Sequence, residues 1–437
     1  MVYKILDLFA GVGGLSLGFE LSRNKNGKKI FELHKAVEID RYACQTLRAN
    51  YGAEKVIEGD LTNKEIHQKI LSECRGKVDV VVGGIPCQSF SLIGPRSGFG
   101  KSLDKFKEDE RDNLYKQFKD IVNGLNPKII VLENVKGILS KRNKLGVKII
   151  DNIITDFEKL GYKFENKRDN KKYFLLNAAD YGVPQKRERV ILIGVRKEIA
   201  TSEIYLEPKN YDPNKINAEE LSKKGLLPYV TLNEAIGDLP FLKPKVTMTG
   251  INKAKASKVV EENLKFNNGE DRMIFDYEVF RNHLNNISAS GVKFFKHIRG
   301  NSYAYLDNHV CRSQQFSDIR LFSVMKPGET AKDFATRCPK LAQKLIKYNM
   351  DSFMDKYRRQ KGDELSTTVF AHLEKDGNRF IHPTQPRTFT PREAARIQSF
   401  PDDFIFCGPM SKKYKQIGNA VPPLLSKAIA GAVEKLL

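Results

Sequence analysis

The sequence predicts an α/β protein: a doubly wound, mostly parallel, Rossmann-like sheet joined to a smaller, irregular second domain. Three observations lead there. Strand-like and helix-like segments alternate through the first two hundred of the 437 residues. Several strand-like segments are short, continuous apolar runs, as expected of strands covered on both faces. From about Thr201 to Arg379 the periodicity fades into Lys- and Asn-rich sequence mixed with aromatics, and it returns at the C-terminus.

The elements follow in order. Tyr3–Phe9 reads as a strand, a glycine-rich turn follows, and Gly14–Leu21 starts a helix. Leu33–Ile39 is a strand and Arg41–Asn50 a helix. Val78–Val82 and Lys128–Leu132 are the apolar runs of buried strands. Ile150, Ile153, Ile154, Phe157 and Leu160 recur at a helical period, and Gly161 supplies the stop. Arg189–Val195 is a further strand. Thr390-Pro391-Arg392-Glu393 is a helix start, with Thr390 as N-cap, Pro391 at the first helical position and Glu393 closing a capping box. Leu424–Leu437 reads as an amphipathic helix. The expected domains are 1–200, then 201–409 with a bracing helix segment at 386–405, then a 410–437 segment that returns to the first domain.

Composition narrows the function classes. The formal charge of +21 creates a field that draws polyanions, and nucleic acid is the obvious partner, although lysine-rich composition also arises as a genomic bias. No stretch approaches the ~20 apolar residues of a membrane span. The N-terminus enters a strand at once, without signal-peptide layout, so a cytoplasmic protein is expected. The six cysteines are scattered, and none of their spacings suggests a metal site or a disulfide framework.

The most informative segment is Gly83-Gly84-Ile85-Pro86-Cys87-Gln88-Ser89-Phe90-Ser91. It presents Cys87 just past a buried strand, where a thiol is exposed and backed by loop amides, as a nucleophile is. A lone cysteine is more often core filling, so its company decides. The glycine-rich, basic loop from Ser91 to Gly100 suits a lid. Asp7-Leu8-Phe9-Ala10-Gly11-Val12-Gly13-Gly14 runs from strand through glycine turn to helix, which lets backbone approach a ligand closely. Glu38 and Asp60, at the ends of strands two and three, suit ribose hydroxyls and an adenine amine. A nicotinamide-binding fold would explain these, but not the Pro-Cys segment. Glu133-Asn134-Val135 follows a strand and puts a carboxylate on the rim where Cys87 is expected. In Gln185-Lys186-Arg187-Glu188-Arg189 the two outer arginines alternate, so they are expected to share a strand face and to hold anionic or carbonyl oxygens. Gly418-Asn419-Ala420-Val421-Pro422-Pro423 reads by itself as a turn.

Together and in this order, these motifs resemble the DNA cytosine-5 methyltransferases of prokaryotic restriction–modification type. The resemblance covers residues 3–197 and 386–437 and includes TPREAARIQSFPDDF at Thr390–Phe404. It implies that 1–200 binds S-adenosylmethionine, the methyl donor, and that the middle is the target-recognition domain. Phe9 would pack on the adenine, Glu38 hold the ribose and Asp60 meet the adenine amine. Asp7, Gly11, Gly13, Gly14, Pro86, Asn419 and Val421 would complete that pocket. It further implies that a target cytosine is flipped from double-stranded DNA. Cys87 would add to C6, with Glu133 protonating N3, Arg189 at O2 and Arg187 nearer phosphate. No metal is expected. Ile93 of the lid would wedge into the vacated stack. An endonuclease partner would be a separate polypeptide, and a monomer is expected. The competing readings are an RNA cytosine-5 methyltransferase, whose tRNA-acting member has a much shorter recognition region, and a non-catalytic DNA-binding regulator, which would lack Cys87 or Glu133. Base or phosphate contacts in the middle are looked for at His297, Arg299, Asn301, Tyr303, Tyr305 and Lys356–Arg359.

Overall fold

A computed structural model describes residues 2–85, 114–143, 145–199, 203–246, 272–274, 277–299, 305–346 and 356–437. The chain divides into two units: Met1–Tyr181 with Glu188–Pro208 and Ala420–Leu437, and Gly182–Arg187 with Lys209–Asn419.

The first unit is built on an eight-stranded sheet. Its strands are β1 (Tyr3–Leu8), β2 (Phe31–Glu38), β3 (Val56–Glu58), β4 (Val80–Gly84), β5 (Ile129–Val135), β6 (Tyr162–Phe164), β7 (Phe174–Asn177) and β8 (Glu188–Arg196). The order is β3-β2-β1-β4-β5-β8-β6, with β7 also paired to β8. Strands β1 to β5 run parallel, while β8 lies antiparallel to β5, β6 and β7. The mostly parallel, doubly wound sheet is therefore present, with an antiparallel margin. Its chain order reverses between β1 and β4. In an open α/β sheet ligands bind outside the carboxyl ends of the strands at that reversal.

Helices α1 (Gly14–Glu20), α2 (Arg41–Tyr51), α3 (Lys64–Cys74), α4 (Leu114–Leu125) and α5 (Ile149–Lys159) connect these strands. The apolar stripe of α5 (Ile150, Ile153, Ile154, Phe157) is buried with Phe118, Ile121 and Val122 of α4 against Val81, Ile130 and Leu132. The helix Pro423–Glu434 starts with Pro423 at its first turn and packs on α1. The contact is close enough to need glycine. A Cβ at Gly18 would lie 2.3 Å from Ser426 Cβ and 2.5 Å from the Pro423 carbonyl oxygen. The Ser426 hydroxyl donates to the Leu15 carbonyl across the same contact.

The second unit has short helices and two-stranded ladders, such as Arg272–Ile274 against Tyr305–Asp307. The predicted cap of the Pro391–Ile397 helix is formed: Thr390 and Glu393 exchange both capping-box hydrogen bonds. This helix is buried all round, and its charges are met internally. Arg387 grips Glu393 in a fork, at 2.8 and 2.6 Å. Arg396 lies between Asp238 and Asp402, and Arg299 reaches the same two carboxylates. Burial alone would raise the Glu393 pKa, but Arg387 outweighs it and holds the carboxyl well below its usual range. Among the described residues, no helix is long and apolar enough to cross a membrane.

Two stability predictions follow from this packing. Gly18→Ala overpacks the α1 contact with the C-terminal helix and is expected to cost about 1–3 kcal/mol in thermal or denaturant unfolding. Arg387→Ala leaves Glu393 buried without its counter-ion and is expected to cost about 3–5 kcal/mol by the same measurement.

Candidate active site

The carboxyl rim of the sheet is assembled from the ends of β1 to β5 and the start of the antiparallel β8. At the end of β1 the chain turns sharply. Phe9 and Gly11 both adopt positive φ, at 57° and 56°, and Gly13 follows at 77°. A left-handed phenylalanine is strained, and such residues concentrate at ligand sites. Nothing lies within 4 Å of where a Cβ on Gly11 would sit, so backbone there faces open space. Gly13 is needed for packing as well, because its Cβ would lie 2.9 Å from the Tyr51 ring. The Tyr51 hydroxyl donates to the Gly13 carbonyl at 3.0 Å. Gly14 opens α1 and is buried.

Two carboxylates organise this turn. Asp7 is buried at the end of β1 and accepts from the Ser16 hydroxyl, while its other oxygen, Oδ1, has no hydrogen-bond partner among the described residues. Burial pushes its pKa up to about 7, against the lowering effect of Ser16. Glu38, at the end of β2, accepts from Gly11 N at 2.7 Å, Ile39 N at 2.9 Å and Asp40 N at 2.8 Å. Burial nevertheless leaves its pKa raised. Asp40 caps α2 through Tyr42 N and Ala43 N. Asp60 is exposed beyond β3 and accepts from Thr62 N at 2.8 Å.

The second half of the rim lies over β4, β5 and β8. Gly84 of β4 is in register with Glu133 of β5, and a Cβ on Gly84 would sit 3.3 Å from Glu133 Oε2. The glycine leaves room for that carboxylate across the end of β4. Glu133 faces Ile191 on β8, so Arg189, two residues earlier, is its diagonal neighbour on the same face. Arg189 Nε lies 2.6 Å from Glu133 Oε1, with both side chains nearly buried. Cys87 and Pro86 lie outside the described residues, as do the lid and Ile93. By sequence, Cys87 is three residues beyond Gly84.

Arg187 departs from the expected placement. It precedes β8, so the two arginines do not share a strand face. Its guanidinium is buried and donates to the carbonyls of Val369 at 2.5 Å and Gly418 at 3.3 Å, within the second unit. Val421 is buried in the first unit, whereas Asn419 is exposed at the end of a helix of the second.

Several expected nucleic-acid contacts are committed to the fold. Arg299 sits in the buried Asp238–Asp402 cluster, and His297 Nε2 lies 2.8 Å from the Ser399 carbonyl. Arg359 donates to the carbonyls of Phe322, Met325 and Pro383, and Tyr357 is buried on Asp318. Tyr305 belongs to a short ladder, Lys356 and Arg358 are half-buried, and Asn301 and Tyr303 lie outside the described residues. Sequence reasoning also missed Ile39. It is 62% exposed directly after Glu38, where an apolar side chain has no packing reason to be. The signal was available: a large aliphatic residue between two carboxylates at a strand end.

Asp7 supplies a prediction. Its folded pKa lies above the ordinary 3.8, so the folded state keeps a proton that the unfolded chain releases between pH 4 and 7. Stability from this group is therefore lost as pH rises through that window. Asp7→Asn removes the effect. The stability of the wild type relative to Asp7→Asn is expected to fall from pH 4 to pH 7, by at most about 4 kcal/mol, as followed by thermal unfolding.

Comparison with known proteins agrees with this architecture. The family model for C-5 cytosine-specific DNA methylases matches residues 3–435. The type II methyltransferase M.Eco47II of Escherichia coli is 33% identical, over 100% of this chain and 80% of its own length. M.NgoFVII of Neisseria gonorrhoeae, also a type II methyltransferase, is 33% identical over 96% of this chain and 83% of its own. A prophage-encoded E. coli protein of known structure, described as a DNA modification methyltransferase, shares the fold with a TM-score of 0.65 at 22% identity, over 99% of both chains. The chain belongs to the C-5 cytosine-specific DNA methylase family, and the relatives named here are type II methyltransferases.

Proposed function

We propose that this enzyme is the modification methyltransferase of a restriction–modification system. It would use S-adenosylmethionine to methylate C5 of one cytosine within a defined sequence of double-stranded DNA. The observation that carries the reading is the Glu133–Arg189 pair lying against Gly84, three residues before Cys87.

The cofactor's expected residues fit it chemically. The open space beside Gly11 would let a ligand come close to backbone, and Glu38 would offer a carboxylate for the ribose. Phe9 and the exposed Ile39 offer apolar faces for the adenine, and Asp60 an acceptor for its amine. Asp7, Gly13, Gly14, Pro86 and Val421 are proposed to shape the same pocket. When bound, S-adenosylmethionine supplies an electrophilic methyl group on a sulfonium.

The chain's own residues would do the rest. The target cytosine must leave the stack, because C5 and C6 are shielded within it. Cys87 thiolate forms a bond to C6, and the ring takes up the displaced electron pair. Glu133 would donate a proton to N3 as that charge develops, and Arg189 would stabilise the O2 side. Cys87 addition would thereby leave C5 enamine-like, able to take the methyl group that the sulfonium supplies with a neutral thioether as its leaving group. Loss of the C5 proton to water would expel the Cys87 thiolate and restore the double bond, and N3 would return its proton to Glu133. Arg187, committed to the Val369 and Gly418 carbonyls, is assigned no step. The second unit is proposed to be the target-recognition domain, the endonuclease a separate chain, and the working enzyme a cytoplasmic monomer.

An RNA substrate is the alternative. The type II relatives align through residues 209–419 as well as the catalytic motifs, which favours DNA. Bisulfite sequencing of duplex DNA treated with enzyme and S-adenosylmethionine is expected to show protected cytosines in one recurring context, absent with Cys87→Ala. Glu133→Gln is expected to lower kcat by about 10²–10⁴-fold. No protected cytosine in any duplex, with transfer to tRNA instead, would reverse the substrate assignment.

A further inference from the structure

We propose that Arg142, Leu145 and Lys148, in the connection from β5 to α5, form a sequence-independent contact with duplex DNA flanking the target base. The inference rests on DNA being the substrate. Connections that run from a strand into the following helix of a parallel sheet lie on its carboxyl rim, the rim that holds Glu133. This connection leaves β5 two residues after Glu133 and turns through Lys136–Leu139 before the loop.

Residues 136–148 contain five basic side chains and no acidic one. Lys136 is paired with Glu188, but among the described residues Arg142 and Lys148 form no ion pair. The loop is built rather than loose. Asn143 Oδ1 accepts from Leu145 N at 2.9 Å and from Val147 N at 3.0 Å, and Gly146 N donates to the Asn143 carbonyl at 3.0 Å. Arg142 Nη1 donates to the Gly146 carbonyl at 2.6 Å, which orients its guanidinium and leaves other N–H donors for a ligand. Arg142 and Lys148 are bridged across the base of the loop.

This frame holds Leu145 out, 86% exposed, between two cations. A solubilising surface loop has no use for a fixed aliphatic tip. A duplex does: phosphates meet the cations, and the sugar edges of a groove take the leucine. A second basic hairpin provides an internal comparison. Arg23, Lys25, Lys28 and Lys29 lie between α1 and β2, on the amino rim, where no such contact is proposed.

The test is equilibrium binding to a duplex carrying the recognition sequence and to an unrelated duplex, across a salt series. In Arg142→Gln/Lys148→Gln the slope of log affinity against log salt should shrink by about 2, at roughly 0.9 per phosphate contact, equally for both duplexes. Lys25→Gln/Lys28→Gln should match the wild type. Leu145→Ser should weaken binding by about 3- to 10-fold with the slope unchanged. An unchanged slope in the Arg142/Lys148 variant, or an equal loss in the Lys25/Lys28 variant, overturns the proposal while the wild type still binds. A wild type that binds neither duplex removes the DNA reading itself and this proposal with it.

Discussion

The site depends on the register of β5 against β8. Seven consecutive residue pairs, from Ile129 with Val195 to Val135 with Arg189, fix these strands antiparallel. Because side chains alternate across a strand, that register alone decides that Glu133 and Arg189 emerge on one face. A slip of one residue would send Arg189 to the opposite face and leave Glu133 buried beside no cation. The ladder therefore does for the chemistry what a long loop cannot. It holds a carboxylate and a guanidinium at 2.6 Å without relying on either side chain to find the other.

The same sheet separates two tasks along one rim. Over β1 and β2 lie the turn with left-handed Phe9 and Gly11, the buried Asp7 and the triply bonded Glu38. Over β4, β5 and β8 lie Gly84, Glu133 and Arg189. The reversal of strand order between β1 and β4 puts these groups on either side of one crevice, and the proposed methyl transfer needs such an arrangement. Donor and acceptor must meet, but each must be held by its own framework. The second unit follows a different physical rule. Its helix Pro391–Ile397 is buried together with Arg392, Glu393 and Arg396, so its stability rests on complete internal pairing rather than on an apolar stripe.

Much of this was legible in the sequence because the signals are local. The turn from Asp7 to Gly14, the carboxylate of Glu38 at a strand end and the Thr390–Glu393 capping box each lie within a few residues. Strands β6 and β7, of three and four residues, are too short to show a period. The ladders of the second unit pair residues distant in sequence, so no local pattern announces them. Arg187 and Arg189 are two residues apart yet belong to different units, and alternation assumed a strand that had not yet begun. Composition misled in the same way at Arg299 and Arg359. A basic chain makes every arginine look like a phosphate ligand, and only tertiary structure shows which ones are spent on buried carboxylates and carbonyls.

The central claim is that Cys87 activates the base by adding to C6, with Glu133 relieving the charge at N3. Addition makes C5 enamine-like before any methyl arrives, so the C5 hydrogen should exchange with solvent. The direct measurement is deuterium uptake at C5 of the target cytosine in duplex DNA, without the methyl donor. The account predicts exchange with the wild type, none with Cys87→Ala and much slower exchange with Glu133→Gln. Exchange by Cys87→Ala at the wild-type rate would contradict it.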